Sequence, residues 1–185
     1  MSKSSPINFS EYGADELAAY ITDHHHGFTR QSAEIIHDQL NQLTISGEYS
    51  KEDYRYLWNL FDLLFNELDR HMKKEETVLF PLIRKMMRVT QGKENQELLS
   101  NVEMRKPLAL LLKEHHRIQL ILQEIRIATD HYTARTNASV FCKDCLSEMS
   151  VVDQDIQKHF YIEENFLYPK LLSLEEKIGK KNTDN

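Results

Sequence analysis

The sequence has few residues that interrupt helices. It contains five glycines and four prolines among 185 residues, less than half of the share of about 12% that these two residues reach in average globular proteins. Turn-rich β-sandwiches and barrels need more of both residues. Their scarcity therefore disfavours those folds and favours long helices.

Signals for membrane insertion and secretion are also missing. No apolar run approaches the ~18 residues that a membrane-spanning helix needs, and the N-terminal segment MSKSSPINFS lacks the apolar stretch of a signal peptide. Two cysteines are too few for a disulfide framework. These absences predict a cytoplasmic protein without a membrane partner.

Positive charge is not concentrated anywhere. Lysine and arginine number 23 against 29 aspartates and glutamates, and the formal net charge is −6. A nucleic-acid-binding protein usually carries a basic patch, so no nucleic-acid partner is predicted. The length, with 41% hydrophobic residues, predicts one domain over residues 1–185.

The apolar residues recur at helical spacing. In the second helical stretch, Tyr54, Leu57 and Phe61 begin a stripe with steps of three and four residues. The same analysis predicts four helices, at roughly 15–46, 51–89, 107–130 and 138–178. Short connections between them predict an all-α, antiparallel, up-down-up-down four-helix bundle. Pro81 and Pro169 fall late in the second and fourth helices, where each is expected to cause a kink.

Histidine is abundant, and its positions are ordered. The pattern H-x-x-x-E-E-x-x-L-[FY]-P occurs at His71 and again 88 residues later at His159. Another histidine precedes each copy at nearly equal spacing: His26 lies 45 residues before His71, and His115 lies 44 residues before His159. The sequence is therefore predicted to contain two repeated helical hairpins.

The repeated histidines and glutamates predict a metal site. Residues four apart share a helix face, and an antiparallel bundle brings the upstream histidines to the same height. Buried carboxylates are too costly unless they are paired or bound to metal. Two divalent cations would balance the two carboxylates, and nitrogen and oxygen donors without thiolate suit iron or manganese, with zinc possible. The candidate metal ligands are His26, His71, Glu75, His115, His159 and Glu163.

Several segments resemble the hemerythrin-type HHE cation-binding bundles. The segments are YITDHHHGFTRQ, HMKKEETVLFPLI, KEHHRIQLIL and HFYIEENFLYPKL, and the resemblance covers about residues 15–175. Within that family the sequence is most similar to the proteins for repair of iron centres. The resemblance implies a di-iron centre, NO and O₂ as small ligands, and proteins with damaged iron–sulfur clusters as partners.

Oxygen-carrying hemerythrins differ from this pattern. They carry H-x-x-x-H on the third helix and H-x-x-x-x-D on the fourth, whereas here Gln119 follows His115 by four residues. Typical repair proteins also differ. Many begin with a small cysteine-bearing domain, which we do not expect in this protein. Many also carry an extra histidine after the first helix, where this sequence reads Ser46-Gly47-Glu48.

Three functions are therefore considered. The leading hypothesis is a protein of nitrosative and oxidative stress defence that repairs iron–sulfur clusters or handles NO; catalytic residues are not assigned. The alternative is a hemerythrin-like protein that binds or senses O₂ or iron without turnover. The third is a structural bundle without metal.

Some neighbouring residues compete for the same roles. Successive helix residues point about 100° apart, so only one or two of His24, His25 and His26 can face inward. The equal spacing of the repeat and the family resemblance favour His26 over His25. By the same logic His115 is favoured over His116, which is expected at the surface or behind the ligands. His37 lies about 16 Å along the helix from His26 and is predicted to be a polar surface residue, with an accessory role behind the ligands as the less favoured alternative.

Other residues near the motifs receive simpler roles. Glu76 and Glu164 are expected on a solvated face or behind the ligands, and Tyr168 in packing. The Cys142–Cys145 pair lacks a thioredoxin-like context, so a redox function is not predicted for it.

Overall fold

The computed structural model describes residues 7–46, 50–99 and 102–183, and it shows a four-helix bundle without strands in this part of the chain. The long helices are α1 (14–46), α2 (51–90), α3 (Arg105–Ala128) and α4 (140–183). Two short 3₁₀ turns, Phe9–Glu11 and Gln96–Leu99, flank them. The predicted fold class is confirmed. The observed helix bounds differ from the predicted ones by at most five residues, and positions 47–49 of the first link lie outside the described residues.

Three of the long helices contain a π-helical turn. In α1 the turn Thr22–His26 separates Ala14–Ile21 from Gly27–Ser46. In α2 the turn Glu75–Leu79 separates Lys51–Lys74 from Phe80–Thr90. In α4 the turn Glu163–Leu167 separates Val140–Ile162 from Tyr168–Thr183. Such turns often mark functional sites.

The two prolines explain two of these turns. A proline inside a helix lacks an N–H, and its ring meets the carbonyl of the residue four positions earlier. For Pro81 and Pro169 those residues are Thr77 and Asn165, and both lie within a π-helical turn. The wider turn accommodates the ring, and the helix continues beyond each proline.

Apolar packing forms two separate clusters. The lower core contains Phe61, Leu64 and Phe160, and the upper core contains Phe80 and Ile83. The predicted metal ligands lie where the two clusters meet along each helix. None of the described helices is both long and apolar enough to cross a lipid bilayer.

A partly buried ionic network closes the lower end of α3 against α4. The Asp153 carboxylate accepts two hydrogen bonds of 2.6 Å from Arg126 and one of 2.8 Å from the Tyr132 hydroxyl. Tyr132 follows Asp130 and His131 in a turn where all three residues have positive φ angles of 47–61°. This left-handed backbone is costly for such residues, and the network offsets that cost.

We expect Asp153→Ala to lower the free energy of unfolding by about 3 kcal/mol, because it removes the acceptor of three hydrogen bonds, each worth about 1 kcal/mol. Tyr132→Phe is the matched control and should cost about 1 kcal/mol, the usual value of one hydrogen bond. Urea unfolding of both variants would measure the difference. Equal losses in the two variants would contradict a central role for the carboxylate.

The two cysteines are packed into the lower core. Cys142 and Cys145 are 2% and 0% exposed, and burial raises the pKa of the Cys145 thiol to about 12. The thiolate is the reactive form of cysteine. The arrangement therefore agrees with packing and opposes redox chemistry in the native protein.

Native protein at pH 8 should accordingly resist alkylation of Cys145 by iodoacetamide, while protein unfolded in guanidinium should react quickly. Mass spectrometry of the labelled peptide would report the result. Rapid labelling of the native protein would show that this thiol is accessible.

Candidate metal centre

All six predicted ligands lie together between the two cores. They come from all four helices, and none is more than 1% exposed. The π-helical turns are part of this placement: His26 ends one turn, and Glu75 and Glu163 each begin one. The wider turns occur at the residues that carry the site.

The two carboxylates lie among the four imidazoles. Glu163 Oε1 is 3.1 Å from His159 Nε2, and its Oε2 is 3.1 Å from His115 Nε2. Glu75 Oε2 is 3.3 Å from His26 Nε2 and 3.5 Å from His71 Nε2. Each glutamate therefore contacts both histidines of its own hairpin.

The donor atoms form two groups suited to metal ions, each with all its atoms within 4.8 Å of one another. The α1/α4 group contains His26, Glu75, His159 and Glu163, and the α2/α3 group contains His71, His115 and Glu163. Each group takes one histidine from each hairpin, and Glu163 belongs to both. The arrangement offers two adjacent positions that share a carboxylate.

Most inward-facing atoms have no hydrogen-bond partner. These atoms are His26 Nε2, His159 Nε2 and all four carboxylate oxygens of Glu75 and Glu163, judged over the described part of the chain. Buried polar groups are nearly always hydrogen-bonded. Atoms that approach to 3.1–3.9 Å without hydrogen-bond geometry fit a site whose partner is a cation.

Without metal, protons must balance the buried charge. Burial, followed by the negative charge of Glu163, raises the pKa of Glu75 to about 8. Burial also acts against ionised Glu163, but His159 and His115 outweigh it and hold the pKa of Glu163 well below its usual range. Burial would lower the pKa of His71, yet the charge of Glu75 and a bond to Glu114 raise it to about 10. Two neighbouring carboxylates thus cannot both ionise without added positive charge.

Three further carboxylates hold the histidines from outside. His26 Nδ1 donates to Glu76 and His115 Nδ1 donates to Glu164, both at 2.7 Å. His71 Nδ1 donates to Glu114 at 3.2 Å. A proton fixed on Nδ1 leaves the Nε2 lone pair facing inward, as metal-binding histidines require. The second glutamate of each E-E pair therefore orients a histidine of the neighbouring helix.

Aromatic rings fix the imidazole planes. Phe160 stacks on His115 with ring centroids 3.8 Å apart, and Phe80 stacks on His26 at 5.8 Å. The Tyr168 hydroxyl is 3.4 Å from His115 Nε2. Burial, followed by nearby carboxylates, raises the pKa of Tyr168 well above its usual value, so this hydroxyl stays protonated beside the site. Sequence reasoning assigned Tyr168 only to packing.

A pocket of about 380 Å³ opens between α3 and α4 beside the site. Its wall includes Glu164 and Tyr168, two of the side chains that contact His115. The remaining lining is mostly apolar and consists of Arg105, Leu108, Ala109, Leu112, Pro169 and Leu172. The pocket brings the surface close to the α2/α3 group.

The other histidines lie in varied environments. His116 is exposed, as the sequence predicts. His37 is half-buried against Trp58 and Phe65, so its prediction as a surface residue is wrong: the ring packs between two aromatic side chains. His25 is 2% exposed, because the π-helical turn turns two successive histidines inward.

Comparison with known proteins identifies the family. Residues 16–149 match the hemerythrin HHE cation binding domain. The chain is 30% identical over 165 residues to the iron-sulfur cluster repair protein YtfE of Edwardsiella ictaluri, covering 85% of this chain and 66% of that protein. It is 29% identical to YtfE of Enterobacter sp. strain 638 over 64% of this chain and 48% of that protein.

A third relative, YtfE of Escherichia coli O81, is 28% identical over 60% of this chain and 44% of its own length. The matched region thus spans from under half to about two thirds of these curated relatives. The fold, the family match and the clustered histidines and glutamates agree with one another. The chain belongs to the hemerythrin HHE cation-binding family.

Proposed function

We propose that the protein binds two iron ions between its two cores and serves in the repair of iron–sulfur clusters damaged by nitrosative or oxidative stress. One observation carries the metal proposal: buried imidazole nitrogens and carboxylate oxygens converge at 3.1–3.9 Å, and most have no hydrogen-bond partner among the described residues. The role in repair is supported by the names of the relatives, which are iron-sulfur cluster repair proteins.

The ligand groups suggest how the ions would be held. His26 and His159 would bind one ion, and His71 and His115 the other. Glu163 belongs to both groups, and Glu75 contacts histidines of both. Nitrogen and oxygen donors without thiolate suit iron or manganese better than softer metals. The carboxylates behind three of the histidines make those ligands more basic and strengthen metal binding.

The surroundings of the site suit small ligands. When bound, two ferrous ions with open positions would supply the binding sites and electrons for NO or O₂. The largely apolar pocket between α3 and α4 gives an uncharged diatomic molecule an approach to the site. The Tyr168 hydroxyl, protonated beside His115, can donate a hydrogen bond to such a ligand.

Repair requires iron that can leave the site. We propose proteins with damaged iron–sulfur clusters as partners, in the cytoplasm. The test uses a [4Fe–4S] hydratase inactivated by NO and measures the activity regained after addition of the iron-loaded protein under anaerobic conditions. Recovery no greater than with ferrous salt alone would contradict the repair role. A stable visible absorption band after exposure to air would instead favour O₂ carriage.

Metal content gives the first prediction of the proposed function. Protein purified anaerobically without a tag should contain about two iron ions per chain by mass spectrometry. The variant Glu75→Ala/Glu163→Ala should contain almost none, because it lacks both shared carboxylates.

A folded native protein without metal would overturn the proposed function. The repeated histidines and glutamates would then serve the architecture of the bundle alone. Circular dichroism before the metal measurement separates that outcome from a protein that has lost its fold.

The outer carboxylates give a second prediction. Glu164→Gln should lower iron affinity about 10- to 100-fold, because His115 loses the acceptor that orients its ring. Glu176→Gln on the same helix is exposed and serves as the matched control. Competition with a ferrous chelator would measure both affinities. Equal affinities in the two variants would show that Glu164 does not support the ligand.

A further inference from the structure

The two repeated hairpins differ at one buried position. The residue before the α3 ligand His115 is Glu114, which accepts a hydrogen bond from His71. The residue before the α1 ligand His26 is His25. Since an imidazole replaces the carboxylate, His159 Nδ1 has no hydrogen-bond partner among the described residues. The repeat thus has a carboxylate in one half and a fifth buried histidine in the other.

His25 is arranged as a metal ligand. Its side chain is 2% exposed, and its Nδ1 lies 2.9 and 3.0 Å from the two oxygens of Asp155. Its Nε2 is buried and has no hydrogen-bond partner among the described residues. A carboxylate on Nδ1 and a free lone pair on Nε2 are the features that the structure gives His26.

The position of His25 places it beside one of the two metal groups. Its ring lies parallel to that of His159, with centroids 5.5 Å apart and planes 8° apart. The four donors of the α1/α4 group lie within 4.8 Å of one another without His25. His25 is therefore adjacent to that group and outside its compact ligand set.

The neighbouring residues connect His25 to the surface. His24 is exposed and stacks on Tyr20, with ring centroids 4.2 Å apart. Tyr20 also contacts the edge of the His25 ring at 5.7 Å. The rings of His24 and Tyr20 thus form a continuous line of contacts from solvent to the buried imidazole of His25.

The other half has no comparable donor. Glu114 is bound to both His71 and Lys74, and the hydrogen bond from His71 is the main reason that the pKa of Glu114 is lowered to about 2. The exposed His116 follows the ligand His115 and does not reach the buried layer. A cation at the α2/α3 position would therefore lack a transfer ligand of this kind.

We propose that His25 is a transfer ligand for a divalent first-row cation entering and leaving the α1/α4 position. Its Nε2 binds the ion in passing, so an incoming or departing ion is always held by an imidazole. The two metal positions are consequently unequal: the one beside His25 exchanges its ion quickly, and the one beside Glu114 slowly. This inference rests on the proposed two-ion site.

The test measures the release of iron from the full chain. Protein loaded anaerobically with ferrous iron is mixed with excess ferrous chelator, and the coloured complex is followed over time. The native protein should release one equivalent quickly and the other slowly. His25→Phe keeps an aromatic ring beside His159 but removes the nitrogen donor. It should slow the fast phase by about tenfold or more and leave the slow phase unchanged.

Two further variants complete the experiment. Asp155→Asn should slow the same phase to a smaller extent, because the His25 ring loses its orienting acceptor. This variant also keeps the inference testable if His25→Phe does not fold. His116→Phe, the matched control beside His115, should release iron as the native protein does.

The outcomes separate this inference from the proposed function. Native protein that cannot hold two equivalents overturns both. Native protein that holds two and releases them in one phase, or a fast phase unaffected by both His25→Phe and Asp155→Asn, overturns the inference alone. Equal acceleration of both phases would also overturn it, since it would show a general loosening of the bundle.

Discussion

The rest of the structure depends on the burial of two carboxylates in the middle of a helical bundle. Glu75 and Glu163 are fully buried, and two buried negative charges require compensation nearby. Four imidazoles face them, and further carboxylates hold three of those imidazoles from behind. The site is thus an alternating set of carboxylates and imidazoles, in which each group makes the placement of the next one favourable.

The helices adapt locally to carry this set. A regular α-helix would distribute successive side chains about 100° apart, and the π-helical turns alter that spacing at the ligands. In α2 and α4 the same turns also make room for Pro81 and Pro169. In these two helices one π-helical turn therefore both positions a ligand and accommodates a proline. This explains why glutamate and proline recur six residues apart in both copies of the motif.

Much of the molecule could be predicted from the sequence because it depends on periodicity. Helical spacing gives the four helices, and the repeated motif gives six residues that the structure brings together. The π-helical turns could not be predicted, since each changes the helix by a single residue and leaves the apolar pattern intact. Helical spacing allowed one or two of His24, His25 and His26 to face inward, and the structure buries two of them, His25 and His26. The roles of Glu76 and Glu164 depend on contacts between different helices, which spacing along one helix does not reveal. The half-burial of His37 depends likewise on Trp58 and Phe65 of the neighbouring helix.

The division of the apolar core has a consequence for the exchange of ions. The upper and lower clusters are separate, so each retains its own hydrophobic contacts when the polar layer between them rearranges. Opening that layer admits water to imidazoles and carboxylates, which are well solvated, and leaves the large apolar side chains covered. The polar layer can therefore open locally without exposing apolar surface to other proteins. Such local opening does not require global unfolding.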